Sequence, residues 1–211
     1  MAKLENEVLI ELLETVADNK FIMGDHLVEI GVSGPNLEAT LSAVAIAQAE
    51  LGHARLLYNW IQELKTGKRK RIEIEKQTGK AFSTAIETED WISLIASLYT
   101  TDVAAEVILG AISNSEFSTK TVTKMVKEQK DNITYARSWC NQLVNDKGKI
   151  PVKFKADFEK AKKEASVWLH FCQNDERLKH LGVFNEGTDV IKSFNEEMDS
   201  ILPSKEPVHA K

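Results

Sequence analysis

Proline and glycine are scarce in this sequence, 4 and 10 among 211 residues, and strand signals are nearly absent. Collagen-like and disordered chains are excluded on that composition. Cysteine is scarcer still. Cys140 and Cys172 share no CxxC spacing, so a zinc or dithiol redox site is not indicated, and both are expected reduced in the core. Long hydrophobic runs are missing as well. The longest uncharged stretches, Ala39 to Ala49 and Trp91 to Thr101, fall well short of the roughly 20 residues needed to cross a bilayer, so no transmembrane helix is expected. The opening Met1-Ala-Lys-Leu-Glu-Asn-Glu7 has charges where a signal peptide needs an apolar core, so a cytoplasmic location is expected. Positive charge is not in excess. With 27 Lys+Arg against 32 Asp+Glu the net charge is −5, which argues against a primary nucleic-acid binder. Nucleophile elbows, glycine-rich phosphate loops and Walker motifs are all absent from the sequence.

What is present is enough for a full core: 43% hydrophobic residues with 28% charged residues to cover it. One helical domain over residues 1–202 is expected, with a frayed tail at 203–211. The few glycines and prolines cluster at breaks between amphipathic runs of helical length. These place helices at about 4–31, 37–65, from Trp91 onward, 118–145, 153–174 and 188–202. Thr88-Glu-Asp90-Trp91 carries a helix cap. The fold class read from this is all-α, an antiparallel four-helix bundle with additional C-terminal helices. One connection is long. Residues 65–88 hold the basic run Lys65-Thr-Gly-Lys68-Arg-Lys-Arg71 and the alternating Ile72-Glu-Ile74-Glu75, either a solvated turn or a contact for an acidic partner or the phosphates of a ligand.

The second helix carries the chemistry. Its apolar stripe of Ala43, Ile46, Ala47, Ala54, Leu57, Trp60, Ile61 and Leu64 is interrupted on the same face by Glu50 and His53. A carboxylate and an imidazole among such neighbours need a pairing partner or a metal. Glu-x-x-His facing a bundle interior is how di-iron carboxylate proteins supply ligands. The same spacing at Glu206 to His209 lies in a proline-broken tail and carries no meaning. In the third helix Asp102 interrupts the stripe of Trp91, Ile95, Leu98, Ala105, Leu109 and Ile112, with Glu106 one turn further on. In the fourth, Gln129 and Asn132 occupy the positions of a second Glu-x-x-His with both ligands replaced by amides, which bind iron poorly. They can instead hydrogen-bond Glu50 and His53. In the first helix Phe21 is read as the inward position, with Asp18 and Asp25 one turn to either side. Glu50, His53 and Asp102 are thus candidate metal ligands of an incomplete site, which can be a di-iron site, a single-metal site or a metal-free polar network. His26, His170 and His180 lack an acid three residues before them and are assigned to surface or packing. Trp139, Trp168, Phe154, Phe158 and Phe171 are assigned to core or subunit interface.

Ala47-Gln-Ala-Glu50-Leu-Gly-His53-Ala-Arg55-Leu-Leu-Tyr58, with Ala17-Asp18-Asn19 before it and Tyr99-Thr-Thr-Asp102 after it, resembles the ferritin-like subunits of bacterial phenylacetyl-CoA epoxidase. Lys127-Glu128 and Arg137-Ser-Trp139 add to the likeness, which spans roughly residues 10–200 and is strongest to the structural, non-catalytic member of that complex. The resemblance implies that the catalytic subunit's ligands on helices 2 and 3 fall on Glu50, His53 and Asp102. Those on helix 4 fall on Gln129 and Asn132, and the one on helix 1 near Phe21. It therefore implies a ferritin-like, non-catalytic scaffold with no cofactor of its own. Such a chain pairs in homo- and hetero-oligomers with a di-iron catalytic subunit acting on an aryl-CoA thioester, without nucleic acid or membrane. The alternative is a stand-alone metal-dependent oxidase or oxygenase using Glu50, His53 and Asp102, with iron as its metal.

Overall fold

The computed structural model describes residues 2–69, 73–74, 76–185 and 187–202. Lys70, Arg71, Ile72 and Glu75 of the basic connection, and the tail from Pro203 onward, lie outside them. Among the described residues the chain is all-α, with no strand. Helix α1 runs Ala2–Glu29, α2 Leu37–Thr66, α3 Ser83–Ile86, α4 Trp91–Ser113, α5 Lys120–Val144, α6 Ile150–Asn174, α7 Glu176–His180 and α8 Val190–Asp199.

Each of three long helices starts where a side chain can satisfy its free N–H groups. Asn36 accepts from Ala39 N at the head of α2, and Thr119 accepts from Val122 N at the head of α5. At α4, Asp90 and Ser93 cap each other's backbone in a reciprocal box. Gly67 closes α2 in the left-handed region at φ 67°, where any other residue would be strained.

Helix α1 packs mainly on α2, and α4 on α5, giving two antiparallel hairpins that face each other as a ferritin-like four-helix bundle. The crossover from α2 to α4 includes α3. Helices α6 and α8 then cover the far side of α4. Surrounded on all sides, α4 is buried around most of its circumference, including Leu94, Leu98, Ile108 and Ile112. It carries only Asp102 and Glu106 as charges and has the length and apolarity of a spanning helix, contrary to the run-length expectation, but most of it is buried in the bundle.

The long crossover is pinned from beneath. Asp18, fully buried on α1, accepts from Tyr58 Oη at 2.5 Å, Thr78 N at 2.8 Å, Thr78 Oγ1 at 2.8 Å and Lys80 N at 2.7 Å. Asn19 beside it accepts from Phe82 N at 3.0 Å. Asp18 is therefore committed to the connection. Asp25, the other acid considered on this helix, is exposed, and Phe21 is half-buried. Both cysteines are buried and free, and burial pushes the Cys172 thiol up to about 12. Phe154 and Phe158 are core residues 5.5 Å apart, and Trp139 meets Trp91 edge-on at 5.0 Å. Phe171 is 70% exposed.

Candidate functional site

Four helices each contribute an inward stripe, and at one level of the bundle each stripe carries a polar residue. On α1 the stripe is Leu9, Leu13, Val16, Lys20, Met23 and Leu27, all buried. Lys20, one position before Phe21, is the inward residue at this level. On α2 the inward polar residues are Glu50 and His53, on α4 Asp102, and on α5 Gln129 and Asn132; all are buried.

The Lys20 ammonium lies at the centre of this layer. It donates to both Glu50 oxygens, at 3.1 and 3.0 Å, and to Gln129 Oε1 at 2.5 Å, and it lies 3.5 Å from Asp102 Oδ1. Asn132 donates to Glu50 Oε1 at 2.8 Å, which completes the shell of that carboxylate. Three donors in an ammonium and three surrounding acceptors is a satisfied arrangement for a buried lysine. Asp102 Oδ2 and Gln129 Nε2 keep no hydrogen-bond partner. His53 belongs to a different contact. Its Nε2 meets Glu128 Oε2 at 2.9 Å at the edge of α5, and its Nδ1 is unpaired.

The electrostatics follow from this layout. Burial alone would push the Lys20 ammonium down, but the carboxylates of Glu50 and Asp102 more than offset it, so Lys20 stands above its ordinary value and is charged at neutral pH. Burial and the nearby charge of Glu50 push Asp102 well above the ordinary carboxylate range, and Lys20 offsets only part of that. Burial and Glu50 thus favour the neutral form of Asp102 beside the charged Lys20. Burial and the Lys20 charge push His53 down against the opposing pull of Glu128, which keeps the imidazole neutral.

Of the candidate ligands, Glu50 and Asp102 converge, but on an ammonium, and His53 turns aside to Glu128. Among the described residues no group of three or more His, Cys, Asp or Glu side chains is placed to hold a metal ion. The donor set does not suit a dinuclear iron centre. A dinuclear cation needs several carboxylates and two imidazoles, whereas here both oxygens of Glu50 are engaged by a fixed positive charge that would repel it. Lys20 is not among the candidates that the sequence motifs single out, although the α1 stripe marks it by the same logic that marks Glu50.

A helical bundle of ferritin-like form with a polar layer across its middle is the class this fold and site define. The profile of the phenylacetic acid catabolic protein family matches residues 1–202, and the chain belongs to that family. No curated protein matches the sequence.

Proposed function

We propose that this chain is the non-catalytic structural component of a phenylacetyl-CoA epoxidase-like monooxygenase. In this reading it scaffolds a di-iron catalytic subunit that oxidises the ring of an aryl-CoA thioester in the cytoplasm. The observation that carries the reading is the Lys20 ammonium seated between Glu50, Asp102 and Gln129. Its single positive charge stands where a catalytic relative needs a metal cluster, in a layer that keeps only half of the ligand positions. Activity then resides in the partner, and the polar layer of this chain holds four helices in register.

The test is elemental analysis after expression with iron, manganese and zinc supplied. The native chain is expected to hold near-zero metal. Gln129→Glu with Asn132→His should stay metal-free, because Lys20 remains. Adding Lys20→Glu should let the chain take up metal. If the native chain instead purifies with about two metals, it is an oxidase or oxygenase in its own right and the scaffold reading is lost.

A further inference from the structure

A cavity of about 580 Å3 opens between the second half of α2 and the start of α5, on the outside of the bundle. That volume suits a drug-sized ligand. Its wall is apolar where Leu56, Trp60 and Met125 line it, and cationic where Arg69 and Lys120 line it. Leu56 is 42% exposed and Trp60 half-buried, so apolar and aromatic surface is available to a guest. Both cations are exposed. Among the described residues the guanidinium of Arg69 has one acidic neighbour, Glu63, also in the lining, at 3.9 Å from Nε. That distance is too long for a hydrogen bond, so the planar fork of Arg69 keeps its donors for a guest. In a chain of net charge −5, two cations beside a half-buried indole form a local departure of the opposite sign.

We propose that this cavity is a binding site for a small organic anion that joins a phosphate group to an aromatic or apolar ring. The phosphate meets Arg69 and Lys120, one as a bidentate fork and the other as a point charge. The ring lies against Trp60 and Leu56, where stacking and burial of apolar surface add to the charge contact. Neither half suffices alone. Glu63 opposes the anion and sets a ceiling on its affinity. The polar layer around Lys20 takes no part, so the site is independent of whether the chain pairs with an oxygenase.

The experiment is calorimetry and tryptophan fluorescence on the full chain with phenyl phosphate and ADP as probes, and with pyrophosphate and adenosine as the separate halves. At least one of the joined probes is expected to bind with Kd below about 1 mM and to quench emission, with the quench lost in Trp60→Phe. The halves should bind about tenfold more weakly or worse. Arg69→Ala with Lys120→Ala should weaken binding by about tenfold or more, while Glu63→Gln should tighten it several-fold. These positions lie on the surface, and an unchanged urea midpoint verifies that each variant folds. Absence of binding by both joined probes overturns the proposal. So does equal binding of pyrophosphate, which would mean surface charge alone, or an affinity unchanged in the Arg69/Lys120 variant, which would place the ligand elsewhere.

Discussion

Removing the ammonium of Lys20 leaves Glu50 a buried carboxylate held by Asn132 alone, and an uncompensated buried charge of that kind destabilises a fold by about 3–5 kcal/mol. Lys20→Met is expected to show that loss in urea denaturation, and Lys20→Met with Glu50→Met is expected to recover most of it. Additive losses would mean the two residues are not coupled. Asp102 behaves differently because burial and the charge of Glu50 push its carboxyl well above the ordinary range, towards the neutral form. Asp102→Asn should change stability by less than about 1 kcal/mol at neutral pH, whereas Glu50→Gln removes the carboxylate that accepts two of the ammonium's hydrogen bonds and should cost several times that. Glu50, His53 and Asp102 are legible in the sequence as polar interruptions of apolar stripes. Lys20 interrupts its own stripe in the same way. It is easily passed over because a lysine on a helix ordinarily runs its stem along the surface and keeps its charge in water.

At the scale of elements, the long helices are legible to within a few residues because caps and breaks are written locally. Asn36, Asp90 and Thr119 stand one position before the helices they cap. Pro151, read as part of a break, sits in the first turn of α6, where its missing N–H has no bond to lose. The short helices α3 and α7 escape a periodicity reading, since four or five residues show none. Helix α3 depends on a distant residue. Glu164 of α6 accepts from Ser83 N at 2.7 Å, Thr84 N at 2.9 Å and Thr84 Oγ1 at 2.7 Å. Burial pushes its carboxyl up, but these donors from Thr84 and Ser83 more than offset it, so Glu164 stands below its ordinary 4.5. A carboxylate with a depressed folded value stabilises in full above the unfolded value and loses that contribution as pH falls through the folded one. Glu164→Gln should therefore be less stable than the native chain at pH 7. The difference should shrink as the pH is taken below 4.5 in a urea series. A gap that stays constant across that range would mean the carboxylate charge has no part in holding α3.

At the scale of the molecule, an apolar face of α2 is exposed. Leu37, Leu41 and Val44 lie on the outer side of α2 at helical spacing and are 73%, 62% and 38% exposed, with Val32 of the preceding turn also exposed. An apolar surface of this kind marks an interaction site, and in the proposed assembly its occupant is the catalytic subunit. Leu37→Glu with Leu41→Glu is expected to leave stability within about 0.5 kcal/mol of native and to abolish co-elution with that subunit in size-exclusion chromatography with light scattering. Undiminished co-elution would place the interface on another face.

The sequence by itself determined the long helices, their ends, the all-α class and the inward direction of Glu50, His53 and Asp102, because periodicity and capping act over one or two turns. Only the tertiary structure decided what those residues meet. Lys20 and Glu50 are 30 positions apart, and Lys20 and Gln129 are 109 apart. The pairing that makes their shared burial tolerable depends on how two hairpins face each other, which no local pattern encodes. The same holds for Asp18. Its sequence neighbourhood sets it one turn from Phe21 on the first helix, and the folded chain commits it to the backbone of residues 78 and 80.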